Sequence, residues 1–129
     1  MTTARAHREY PQRYRYEAGV CKKCGKWFFP PRLICDKCGH REFETKAMRR
    51  TGKILTYTVV HVPPKPFADQ APFPVAVVEM DDGPRVTTQV ADPQEGQLKI
   101  GQQVKLEFRR AFADGEAGPI MYGYKAVPI

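Results

Sequence analysis

With 129 residues and 14.7 kDa, the chain has room for one ordinary domain, or for a small metal-stabilised module joined to a compact barrel, and its 42% hydrophobic content excludes a large enzyme with a deep cleft. The net charge of +7 is unevenly spread: residues 1–53 hold 14 Lys+Arg against 5 Asp+Glu, whereas residues 54–129 hold 7 against 9. A slightly acidic C-terminal part argues against a barrel that tracks a polyphosphate backbone, which would be expected to carry the positive surplus itself.

In chain order, residues 3–18, TARAHREYPQRYRYEA, read as a polar arm with Tyr10, Tyr14 and Tyr16 among arginines. Pro11 disfavours helix at Tyr10 but suits the first turn of a new one, so two short helical pieces are expected, the second ending near Gly19. Such pieces are too short to be stable alone. The arm is therefore expected to dock on its own body or on a partner.

Next come CKKCG (21–25) and CDKCG (35–39), each placing two sulfurs around a tight turn followed by a glycine. Two such knuckles bring Cys21, Cys24, Cys35 and Cys38 to a tetrahedron suited to one structural zinc ion. Four thiolates leave no open position for a substrate, so a structural role is expected; iron in a rubredoxin-like site is the competing occupant. The intervening GKWFFPPRLI is expected to form a hydrophobic hairpin beside the metal, and Lys22, Lys23, Lys26 and Lys37 to balance its negative charge. No run approaches the roughly 18 apolar residues of a membrane span, and the start lacks the apolar stretch of a secretory signal. A cytoplasmic protein with no membrane partner is expected, and in that reducing compartment paired cysteines point to a metal rather than to disulfides.

From Gly52 onward the pattern becomes strand-like. GKILTYTVVHV (52–62), VAVVEM (75–80), RVTTQVA (85–91), QVKLEFRR (103–110) and IMYGYKAV (120–127) predict five strands of a small antiparallel barrel of OB-fold order. Asp81, Asp82, Gly83 and Pro84 make a tight connection, and the five prolines of PPKPFADQAPFP (63–74) make a stiff loop. The fold class is thus mainly β: a helical arm (1–19), a rubredoxin-like zinc ribbon (20–47) and a five-stranded OB-fold domain (48–129). His7, His40 and His61 are scattered, with no spacing that pairs one with a nucleophile or a metal, and no phosphate loop or nucleophile elbow occurs. No catalytic residue is assigned.

The basic arm PQRYRYEAG, the segment CKKCGKWFFPPRLICDKCG, the loop FADQAPFPVAVVEMDDGPRVTTQVAD and the end KIGQQVKLEFRRAFADGEAGPIMYGYKAVPI together resemble the zinc-ribbon plus OB-fold proteins associated with acyl-CoA enzymes. The resemblance implies a non-catalytic accessory subunit of a thiolase or a hydroxymethylglutaryl-CoA synthase-like enzyme, with the barrel helping to form a shared CoA or acyl-CoA site. On that reading Arg49, Arg50, Lys53, Arg109 and Arg110 are candidate ligands for the CoA phosphates, because guanidinium groups clamp phosphate oxygens in pairs. Tyr10, Tyr14, Tyr16, Phe67 and Phe73 are candidate partner anchors, aromatic side chains being favoured in that role. The alternative is a nucleic-acid-binding ribbon and OB-fold module, which the basic N-terminal part favours and the charge split opposes.

Overall fold

A computed structural model describes residues 3–91, 93, 96–113, 116–118 and 120–129; the first two residues of the expected arm lie outside them. Two short helices open the chain, α1 (Thr3–Arg8) and α2 (Tyr10–Tyr14). Glu9 sits between them and accepts from Arg5 at 2.8 Å and from Arg13 at 2.6 Å, one turn away on either side. These two partners, Arg5 first, hold its carboxyl below the usual range and splint the junction at Pro11. The second helix stops at Tyr14, earlier than the expected end near Gly19. Tyr16 explains the difference: at φ 53° it occupies the left-handed region that ends a helix, and the chain leaves it as strand β1 (Glu17–Cys21).

β1 is the middle strand of a three-stranded antiparallel sheet, flanked by β2 (Trp27–Phe28) and β3 (Phe43–Ala47). Its residues Ala18, Gly19, Val20 and Cys21 are all buried. The segment between the knuckles packs less against the metal site than its hydrophobicity suggests. Phe28 is buried beside Cys21 and Cys35, but Leu33 is 87% and Ile34 51% exposed. Pro30 and Pro31 are the reason, since neither can donate to a ladder and β2 ends after two residues.

The second sheet has five antiparallel strands in the order β6-β5-β4-β7-β8, formed by β4 (Thr51–Val60), β5 (Phe73–Met80), β6 (Arg85–Gln89), β7 (Gln103–Ala113) and β8 (Ile120–Pro128). A parallel bridge between Val90 and Ala126 joins the two edges, giving the nearly closed OB-type barrel. Alternation places Ala76, Val78 and Met80 of β5 inside with Ile54, Val104, Leu106 and Ala126. The proline-rich loop holds one 3-10 turn, Lys65–Phe67.

Where β4 begins, Gly52 lies against β5 so closely that a Cβ there would stand 2.6 Å from the Glu79 carbonyl oxygen and 2.8 Å from Val78 Cγ1. Backbone cannot retreat as a flexible side chain can. Gly52→Ala is expected to cost about 1–3 kcal/mol, read as a lower denaturation midpoint with zinc content unchanged. An unaltered midpoint would show that the two strands can separate at that point without penalty.

Arm, ribbon and barrel share one core. Tyr16, 4% exposed, packs its ring on Phe29 of the ribbon (centroids 4.4 Å) and edge-on against Tyr124 of β8 (5.0 Å). Its carbonyl accepts from the Met48 N–H at 3.0 Å, and the Tyr124 hydroxyl donates to the Tyr14 carbonyl at 3.1 Å. Arg49 ties the ribbon exit to the β5–β6 turn, its N–H donating to Asp82 at 2.8 Å.

Candidate functional site

The two knuckles have the same local geometry. In the first, Cys21 N–H donates to Lys26 O and Gly25 N–H to Cys21 O, both at 2.9 Å; in the second, Cys35 N–H donates to His40 O at 2.9 Å and Gly39 N–H to Cys35 O at 3.0 Å. Gly25 (φ 76°) and Gly39 (φ 72°) supply the left-handed residue that each turn requires. The four sulfurs lie within 4.8 Å of one another, with Cys21–Cys38 and Cys24–Cys35 each at 3.5 Å. A tetrahedron with sulfurs about 2.3 Å from its centre has edges of about 3.8 Å, so the set fits one zinc ion. The separations far exceed the roughly 2.05 Å of a disulfide. Backbone N–H groups at Cys24 and Lys23 draw the Cys21 thiol down to about 6, while, against a backbone N–H at His40, burial and proton sharing with the neighbouring sulfurs push Cys38 up to about 11, as expected of four thiols crowded together.

The five candidate phosphate ligands do not converge. Arg49 pairs with Asp82 at 3.2 Å, Lys53 faces Glu79 at 3.8 Å, and Arg50 lies over the Tyr124 ring at 4.6 Å. Arg109 and Arg110 stand apart from these, lining one cleft of about 450 Å³ with Lys125, Gln70 and Gln89. Sequence spacing had no means of finding these last three. They are brought to the arginines by β8, by the proline-rich loop and by the end of β6.

The aromatic candidates divide by burial. Tyr16 and Phe73 are interior, Phe73 packing on Phe67 at 5.9 Å. Tyr10 is 47% exposed and stacks on half-buried Tyr14 at 4.4 Å, which meets Phe108 of β7 at 5.4 Å. Phe67 is half-buried against Phe112. The outward aromatic surface is thus built by Tyr10 and Tyr14 with Phe108 and Tyr122, the last two stacked at 5.6 Å. Of the histidines, His7 lines a groove between the arm and β8, His40 offers its carbonyl to the second knuckle, and His61 is exposed beyond β4.

Residues 8–44 match the rubredoxin-like zinc ribbon domain of ChsH2, and residues 45–109 match the C-terminal OB-fold domain of ChsH2. The chain is 44% identical to a DUF35 domain-containing scaffold protein of Methanocaldococcus jannaschii, over 97% of this chain and 89% of that protein. It belongs to the DUF35 family. A second DUF35 scaffold protein, from Methanothermobacter thermautotrophicus, is 39% identical over 98% of this chain and 96% of its own length. Among solved structures, a chain of the Ltp2-ChsH2(DUF35) aldolase superposes with a TM-score of 0.72 at 28% identity, covering 96% of this DUF35 chain and 89% of the other. A probable enoyl-CoA hydratase alpha subunit of Thermomonospora curvata is 33% identical over 70% of this chain, a match that spans 28% of the larger protein. No helix among the described residues is long and apolar enough to cross a membrane.

Proposed function

We propose that this DUF35 protein is a non-catalytic accessory subunit that helps form a CoA or acyl-CoA site with a partner enzyme of thiolase or hydroxymethylglutaryl-CoA synthase type. The observation that carries the reading is the likeness, along 97% of the chain, to a protein described as a scaffold. The partial match to an enoyl-CoA hydratase subunit and the likeness to the ChsH2 chain of an aldolase support an acyl-CoA setting. Cys21, Cys24, Cys35 and Cys38 hold Zn2+, which fixes the ribbon and leaves no coordination position for chemistry. A tetrathiolate suits the reducing cytoplasm, where we place the protein.

The partner meets the arm. Tyr10, Tyr14 and half-buried Phe67 offer aromatic surface at the edge of the barrel, and Arg13 and Arg15 supply charge beside the first two. A variant beginning at Arg15 keeps Tyr16 in the core. It is expected to retain zinc and the barrel while capturing a purified thiolase-type partner about tenfold or more weakly, since central aromatic anchors carry most of an interface's energy. Capture equal to that of the full chain would mean that the arm only covers the barrel. The lone protein is expected to show no acyl transfer or thioester hydrolysis, and robust turnover would reject the accessory role.

A further inference from the structure

Strand β4 changes character halfway along. Its first residues lie between β5 and β7, but β7 pairs only with Thr51, Gly52 and Lys53. The last bonds on that side belong to Ile54, whose N–H donates to the Gln102 carbonyl at 2.9 Å and whose carbonyl accepts from the Gly101 N–H at 2.7 Å. From Thr56 to Val60 the strand continues on β5 alone, and among the described residues no backbone group pairs with its other edge. The register shows what that edge presents. Pro74 turns its carbonyl away from β4, accepting from the Val90 N–H at 2.9 Å, so Val59, opposite Pro74, points its own N–H and C=O away from β5. Tyr57, two residues back, points the same way. The buried alternation of β4 also stops at Ile54: Thr56, Tyr57, Thr58 and Val59 are all exposed.

An open strand edge is ordinarily guarded by Lys, Pro or a bulge. Here the bulge lies between Ile54 and Thr56, before the open stretch, and residues 55–62 include no Lys, Arg, Asp, Glu or Pro. We infer that this edge of β4 pairs with the same edge of a second copy of the chain, antiparallel about a two-fold axis at Thr58. Register argues for a second copy. With Thr58 on the axis, Tyr57 of each copy lies opposite Val59 of the other, and these are the residues whose N–H and C=O groups face outward, so all of them bond. A register one residue off would set each outward residue against one that faces β5. The resulting Tyr–Val and Thr–Thr pairs are of the kind that stabilises a sheet. Charge does not oppose the pairing, since the edge carries none and residues 54–129 hold 7 Lys+Arg against 9 Asp+Glu. The basic arm packs on β8, which β7 separates from β4 in the sheet. Tyr57 is also placed in advance, its hydroxyl donating to the Leu98 carbonyl at 3.1 Å, which lowers the ordering cost of association.

The interface is small, so a dissociation constant of about 1–100 μM is expected. Sedimentation of the full zinc-loaded chain at concentrations on either side of that range tests it, with hydrogen exchange of the Tyr57 and Val59 amides followed in parallel. A monomer–dimer equilibrium is expected, with both amides slowing as the dimer forms. T58K, which sets like charges opposite each other at an exposed position, should weaken association at least about tenfold, with the thermal stability of dilute protein and the zinc content unchanged. T58C should give a disulfide-linked dimer under mild oxidation, because a non-hydrogen-bonded pair has Cα atoms about 4.5 Å apart; T56C, four residues out of register with its own copy, should not. A chain that stays monomeric throughout, a dimer undisturbed by T58K, or T56C cross-linking as readily as T58C would overturn the inference. Protection of the Tyr57 and Val59 amides only when a thiolase-type enzyme is added would assign the edge to that enzyme and overturn the second-copy pairing as well.

Discussion

Cys35→Ser is expected to reduce bound zinc from one ion per chain to almost none and to unfold the ribbon. Around the metal the ribbon's own buried cluster is only Cys21, Phe28 and Cys35, and β2 contributes only two residues to the sheet. Small sheets of this kind do not stand without a metal or a larger core. Binding of structural zinc by comparable modules amounts to about 10–16 kcal/mol, which here is folding free energy of the ribbon. A serine removes one of four thiolates and leaves a buried hydroxyl where Cys35 is 2% exposed. Elemental analysis with amide spectra of residues 17–47 checks the outcome. A folded, metal-free parent with the four cysteines joined as disulfides would contradict the zinc assignment.

Tyr16→Ala should lower the stability of the whole protein by about 3–5 kcal/mol, the usual cost of deleting a buried aromatic side chain. The loss is not confined to one module, because the Tyr16 ring touches Phe29 of the ribbon and Tyr124 of the barrel and sits within the core that contains Ile54 and Val104. Burial pushes the Tyr16 phenol up, consistent with a ring removed from water. A second substitution separates packing from backbone: Tyr16→Gly also removes the ring but relieves the left-handed conformation at φ 53°, so it should be no worse than alanine despite the lower intrinsic order of glycine. Urea unfolding gives the free energy, and hydrogen exchange in β1 and β8 shows where protection is lost. A loss below about 1 kcal/mol would mean that ribbon and barrel do not depend on this contact.

The elements that could be read from sequence are those whose signal is local. Each knuckle is a five-residue pattern, and its geometry follows from two cysteines and one glycine; the strands follow from alternation such as Val104, Leu106 and Phe108 against Lys105, Glu107 and Arg109. Other features depend on residues far apart in the chain. Arg49 looks like an available cation until Asp82, 33 positions away, is placed beside it. Tyr16 reads as one more tyrosine of a polar arm, and only the closure of ribbon onto barrel turns it inward. The bulge after Arg110 has no periodic signature, and the Gln70 amide that bonds the Ala111 carbonyl comes from 41 positions away. Leu33 and Ile34 mislead in the opposite sense: apolar by type, they are held outward by the two prolines before them.

On the proposed function, this chain completes a CoA surface that a partner enzyme holds only in part. A half-site alone binds weakly, because the ordering cost of the ligand is met by fewer contacts. The decisive measurement is calorimetric titration of CoA into a thiolase-type partner alone, into this protein alone, and into their purified complex. Weak binding to either component is expected, with affinity in the complex about tenfold or more above both. CoA affinity of the partner that is the same with and without this protein would contradict it.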